Sequence, residues 1–86
     1  MSSRFEPDAS IDLHGYRPDA AMYQLSRMVD SGRYRGKALE VVHGQGRGVL
    51  REMVREWGAR SPLVKRVWNG EDVFLPGGGG VTIFFL

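Results

Sequence analysis

The sequence predicts a two-layer α/β sandwich: a mixed four-stranded sheet with two helices, in the order strand, helix, strand, helix, strand, strand. Three observations carry this. Short alternating or continuous apolar runs recur at residues 10–14, 38–43, 63–68 and 81–86, as strands require. Between them, two segments repeat apolar residues at helical spacing. Glycine, proline and serine punctuate the junctions. Helical crossovers favour parallel pairing of the first strands with right-handed connections. The last strand, joined by a loop alone, is expected antiparallel to its predecessor.

Residues 1–9 read as a flexible lead-in, leaving one domain over residues 10–86. Ser10-Ile11-Asp12-Leu13-His14 alternates polar and apolar, so Ile11 and Leu13 share one face while Asp12 and His14 share the other. Gly15 ends that strand. Pro18 suits the first turn of a helix and Asp19 complements its positive end. Ala21, Met22, Leu25, Met28 and Val29 form one apolar stripe, which helical packing explains without a cofactor, and the helix fades by Ser31-Gly32. Ala38-Leu39-Glu40-Val41-Val42-His43 is more continuously apolar and is expected to be central and covered on both faces.

Val49, Leu50, Met53, Val54 and Trp57 repeat the helical pattern, with Gly58 as a C-terminal cap. Ser61-Pro62 breaks the chain before the third strand, residues 63–68. Residues 69–80 form a loop ending in four consecutive glycines, which either lets backbone approach a ligand or simply turns the chain. Residues 81–86 make the fourth strand.

Composition narrows the function classes. At 9.6 kDa and 42% hydrophobic residues the chain supports one modest core. Without cysteine it has neither disulfides nor thiolate metal sites, which fits a reducing, cytoplasmic setting. It carries no apolar signal segment at its start and no run of the roughly 20 apolar residues needed to cross a bilayer. A soluble, monomeric domain with no membrane contact is expected. Net charge is only +2, but residues 33–66 carry nine basic and three acidic side chains, a local balance of +6. Such a field attracts polyanions, although a merely solvated surface would look similar.

The chain's only two histidines, His14 and His43, each end a strand and precede a glycine. Ligands of open α/β sheets gather at the carboxyl ends of parallel strands. If the first two strands are neighbours, both imidazoles reach one ligand, and imidazoles exchange protons near neutral pH. Gly44, Gly46 and Gly48 leave backbone N–H groups able to face an anion, with a helix N-terminus directly behind. The spacing is neither the dinucleotide fingerprint nor the P-loop, and a tight strand–helix turn would explain it equally. Arg47, Arg51 and Arg55 form a cationic stripe, which Lys65 and Arg66 extend. Tyr16 and Trp68 are candidate platforms for unpaired bases, against ordinary packing. Asp12 either orients an imidazole or joins His14 and His43 as ligands of a divalent metal. No metal-specific spacing is present, and the expected chemistry needs no cofactor.

These residues resemble the small MutS-related (Smr) domain family from Ile11 to Leu86. Ile11-Asp12-Leu13-His14-Gly15 is similar to the family's Leu-Asp-Leu-His-Gly box, and His43-Gly44-Gln45-Gly46-Arg47-Gly48-Val49-Leu50 to its His-Gly-x-Gly-x-Gly-x-Leu box. Gly77-Gly78-Gly79-Gly80-Val81-Thr82 is similar to its terminal segment. The resemblance implies a fold like the C-terminal domain of bacterial translation initiation factor three. It implies nucleic-acid binding and, in many members, endonuclease activity: nicking of DNA, or cleavage of messenger RNA at stalled or collided ribosomes. By similarity Asp12 and His14 map to the catalytic Asp-x-His, and His43, Gly44 and Gly46 to the second functional loop. The chain departs from the pattern at Arg17, where a capping Ser or Thr is common.

The function these observations predict is a small endonuclease acting on RNA or on branched or nicked DNA. Glycine-loop amides and Arg47 hold the phosphate, and Asp12, His14 and His43 exchange protons. The alternative is a non-catalytic module that docks nucleic acid or the ribosome through the same cations.

Overall fold

The computed structural model describes residues 5–86, a single mixed sheet with both helices on one face. The elements are β1 (Ala9–Asp12), α1 (Pro18–Asp30), β2 (Ala38–Val42), α2 (Val49–Arg60), β3 (Arg66–Asn69) and β4 (Val81–Phe85), with a 3₁₀ turn, Gly78–Gly80, leading into β4. The sheet order is β1-β2-β4-β3. β1 pairs parallel to β2, Asp12 opposite Val42. β4 pairs antiparallel to both β2 and β3, so the last strand is inserted between two strands that a helical crossover joins.

Alternation sorts the side chains. Leu13 beyond β1, Leu39 and Val41 of β2 and Phe84 of β4 are buried against Ala21, Leu25 and Val29 of α1 and Val54 of α2. The opposite face carries Ala38, Val81 and Ile83 under Phe5, Trp68, Leu75 and Phe85. The three rings pack closely, Trp68 on Phe85 at 4.6 Å and Phe5 on Trp68 at 5.4 Å. β2 is therefore central and covered on both faces, by helices on one side and by a thin aromatic layer on the other.

Four boundaries differ from expectation. Residues 5–9 do not form a free lead-in: Phe5 joins the aromatic layer, Asp8 bonds the backbone of Ala38 through its amide and its carboxylate, and Ala9 opens β1. Residues 1–4 lie outside the described residues. β1 stops at Asp12, because the Asp12 carboxylate captures the next-but-one amide. β3 starts at Arg66, because Ser61 turns residues 61–64 through bonds to the amides of Leu63 and Val64. Gly58 does not cap α2 but lies inside it, buried against Phe84.

That glycine sets how closely α2 approaches the sheet. A β-carbon at residue 58 would fall 2.5 Å from the Phe84 ring, which is fully buried and stacks on Trp57 at 6.0 Å. Alanine gains up to about 1 kcal/mol in helix propensity, whereas overpacking a filled core costs about 1–3 kcal/mol. Packing wins. Gly58→Ala is expected to lower stability by about 1 kcal/mol in chemical denaturation; a stabilised variant would show that the helix can back away at no cost.

Candidate nucleic-acid interface

Asp12 and His14 form a compact pair at the carboxyl end of β1. The Asp12 Oδ1 atom accepts the His14 backbone N–H at 3.1 Å and stands 2.5 Å from His14 Nδ1. The hydrogen bond from the imidazole, more than any other influence, holds the Asp12 carboxyl below its usual range. An ionised carboxylate only accepts, so Nδ1 donates to it, and Nε2 makes no hydrogen bond among the described residues. Both side chains are more than half exposed, so this is a solvent-facing carboxylate–imidazole dyad. It lies against the glycine loop: a β-carbon built on Gly44 would meet the His14 Cβ at 3.4 Å.

His43 does not join that dyad. β1 and β2 are neighbours as expected, yet His43 follows Leu39 and Val41 on the helix-facing parity and is only 5% exposed. Its Nδ1 is 3.0 Å from the Gly44 carbonyl, which can only accept, so Nδ1 is the protonated nitrogen. Its Nε2 is 2.8 Å from the Thr82 hydroxyl on β4, on the side of β2 away from β1. Thr82 Oγ1 receives the Arg55 Nε–H at 2.8 Å and so gives its own proton to His43. With both ring nitrogens engaged, His43 presents no open nitrogen to a phosphate beside the dyad, and its ring is turned away from Asp12 and His14 towards Thr82. Burial, reinforced by the positive charges of Arg55 and Arg51, lowers its pKa against the opposing pull of the Gly44 bond and Glu71.

The cations divide in the same way. Arg55 is not part of an open stripe. Its guanidinium binds Glu71 through two hydrogen bonds of 2.9 and 2.7 Å and adds one to the Val81 carbonyl, and Glu71 is held down to a pKa of about 2 chiefly by that partner. Arg47 and Arg51 have no acidic partner among the described residues. The Arg51 guanidinium lies between the two glycine loops, 2.6 Å from where a Gly48 β-carbon would stand and 3.6 Å from that of Gly79. Lys65 and Arg66 are exposed but belong elsewhere. Arg66 lies opposite Phe85, which in turn lies opposite Ala38 at the start of β2. They sit at the other pole, because β3 runs parallel to β2 and begins there.

Not every glycine-loop amide is available to an anion. The amides of His43 and Gly44 both donate to the Gly80 carbonyl, and that of Gly48 donates to Gln45. The amides of Gly46 and Arg47 have no acceptor among the described residues, and Gly48 leaves the first turn of α2 without a side-chain cap. Together with Arg47 and Arg51 these donors form a cluster that could seat an anion. Gly48 is favoured as glycine by its φ of +83°, and the Arg51 guanidinium, a flexible tip, occupies the space its absent β-carbon leaves. The second glycine run closes on the first, since a β-carbon on Gly80 would meet Gly44 backbone at 3.4 Å. Of the two expected stacking rings, Trp68 is spent in the aromatic layer, while Tyr16 is 52% exposed beyond β1. Phe74, which the sequence pattern did not single out, is 92% exposed in the loop between β3 and β4.

Comparison with known proteins gives this arrangement a family. The sequence profile of the Smr domain matches residues 11–86. The chain belongs to the Smr domain family. It is 31% identical over 78 residues to the ribosome rescue factors SmrB of Shewanella oneidensis and Shewanella putrefaciens, matching 83% of the chain but 44% of each relative's length. The crystal structure of the Smr domain of Thermus thermophilus MutS2 superposes with a TM-score of 0.77 at 29% identity, covering 91% of this chain and 96% of that one. The sheet and helices are thus those of the family. Among the described residues no helix is long and apolar enough to cross a membrane.

The buried network makes acid stability separable into two steps. A proton enters His43 more easily in the unfolded chain than in the folded one, so its contribution is complete above about pH 6.5 and fades as pH falls below that. The depressed Glu71 contributes above about pH 4.5 and is lost towards pH 2. Denaturation midpoints measured against pH are expected to show His43→Gln flattening the upper step alone and Glu71→Gln the lower one alone. An unchanged upper step in His43→Gln would show that His43 does not titrate with folding.

Proposed function

We propose that this Smr domain binds RNA and cuts it with a one-histidine site. The observation that carries the reading is the exposed Asp12–His14 dyad beside a glycine loop with unpaired donors. Arg47, Arg51 and the free amides neutralise the phosphate as charge develops on it. His14 Nε2 takes the proton of the 2′-hydroxyl on the neighbouring ribose, and the freed oxygen attacks phosphorus. The bond to the 5′ oxygen breaks, and that oxygen takes a proton from solvent. Ionised Asp12 stabilises the resulting imidazolium and keeps the ring aligned. The products are a 2′,3′-cyclic phosphate and a 5′-hydroxyl, with no cofactor required. Kinship to ribosome rescue factors favours RNA on or near the ribosome over DNA as the target.

A second reading has a specific observation behind it. With His43 enclosed, the site has one exposed imidazole instead of an acid–base pair. The same cations would then dock nucleic acid without cutting it.

Both readings meet in one assay with end-labelled RNA and the wild type, Asp12→Ala, His14→Ala and Arg51→Ala. His14→Ala is expected to reduce cutting by roughly 100-fold or more with binding retained, since general-base groups contribute on that scale. Arg51→Ala is expected to weaken binding. Chelator should leave the rate unchanged, and deoxyribose at the scissile position should abolish it. Products bearing 5′-phosphates and a rate lost to chelator would replace the mechanism with metal-bound water. Binding without any cutting by the wild type would establish the docking module.

A further inference from the structure

The loop between β3 and β4 contains a residue that neither the core nor the proposed chemistry uses. Phe74 is 92% exposed, the most exposed of the described large apolar side chains, and has a φ of +57°, the one positive value among described non-glycine residues. Phenylalanine is ill suited to that backbone region and gains nothing from water, so fold stability does not account for it. The loop around it is firmly tied. Gly70 N–H donates to Val81 O, Asp72 N–H to Asn69 O, Leu75 N–H to Gly70 O and Gly78 N–H to Leu75 O, at 2.9, 2.9, 3.0 and 2.9 Å. Glu71 is clamped by Arg55, and Leu75 packs on the sheet. Phe74 stands between these two anchors, held out by a rigid base.

The same loop forms one wall of the anion seat. Gly80 backs onto Gly44, and Gly79 faces the Arg51 guanidinium. Of the two acidic neighbours, Glu71 is neutralised by Arg55, while Asp72 accepts at 3.2 Å from the Asn69 side-chain amide, a neutral donor that offsets no charge. The loop that carries Phe74 flanks, through Gly79 and Gly80, the donors that would hold a phosphate, and a flat ring without hydrogen-bonding groups offers an unpaired base only stacking.

We propose that Phe74 is a stacking finger for an unpaired base, so that the ligand of this site is single-stranded or locally melted nucleic acid. The inference rests on the nucleic-acid reading above and adds to it the class of strand. Bases of an intact duplex are stacked on one another and do not reach Phe74. A ring that recognises only a π-face tolerates any base, so little sequence preference is expected from this contact.

The test is fluorescence anisotropy with a labelled single-stranded RNA of about 10 nucleotides, the same strand carrying abasic sites, and its duplex. Phe74→Ala is expected to weaken binding of the intact single strand roughly ten-fold, and Phe74→Trp to restore it. Binding of the abasic strand and the duplex should be equal for wild type and Phe74→Ala. Thermal melting should not fall in Phe74→Ala, since so exposed a ring supports no core. Equal single-strand affinity of wild type and Phe74→Ala overturns the stacking role and leaves the nucleic-acid reading intact. An equal loss on all three ligands also overturns it, assigning Phe74 to loop structure or to a protein partner. Failure of the wild type to bind any of the three overturns both readings together.

Discussion

One hydroxyl group organises the functional end of this domain. Thr82 Oγ1 is buried between β2, β4 and α2, where it accepts from Arg55 and donates to His43. Its two partners extend the connection: His43 fastens the start of the first glycine loop through Gly44, and Arg55 fastens the β3–β4 loop through Glu71. In so enclosed a place an unmatched donor or acceptor would cost about 1–3 kcal/mol, so the directions of these bonds are all determined together. Two loops of opposite origin are thereby set side by side. That closeness is what aligns the free amides, Arg47 and Arg51 beside the Asp12–His14 dyad.

The consequence for chemistry is a division of labour between two histidines that look alike in the sequence. His14 keeps Nε2 open to water and a carboxylate behind Nδ1, the arrangement on which the proposed proton transfer would draw. His43 has both nitrogens tied down and, with its burial favouring the neutral ring, fastens the start of the first glycine loop. One open imidazole beside several fixed positive donors offers a phosphate more charge neutralisation than proton relay. The glycines serve the same end. Gly48 and Gly80 make room for a guanidinium and for backbone, which allows the charge to sit close to the ligand instead of at the end of a long flexible side chain.

Much of the fold was legible in the sequence, because the periods of two and about 3.6 persist over whole elements and the loops carry plain breakers. The helices, the parallel first pair and the antiparallel last strand follow from that. The roles within the site were less legible, for reasons specific to each residue. His43 belongs to the core-facing row of Leu39 and Val41, whereas His14 falls opposite Ile11 and Leu13; carried one step past β2 and two past β1, alternation separates the two rings. Arg55 shares helical spacing with Arg51, yet its partner Glu71 lies 16 residues on, in a loop without periodicity. Lys65 and Arg66 share the basic segment with Arg47 and Arg51, but β3 runs parallel to β2 and starts only at Arg66, which puts both at the amino ends of these strands, away from the glycine loops. Phe74 carried no pattern at all; only its backbone and exposure distinguish it.

The account depends on His43 being a neutral, immobile strut, and side-chain nitrogen NMR of the two histidines tests this directly. Near neutral pH, His43 is expected as a single tautomer with the proton on Nδ1, bonded through Nε2 to a slowly exchanging Thr82 hydroxyl proton, and indifferent to added oligonucleotide while His14 responds. A His43 ring that averages between tautomers, or that titrates in step with His14 and shifts when nucleic acid binds, would contradict the account and return both imidazoles to the reaction.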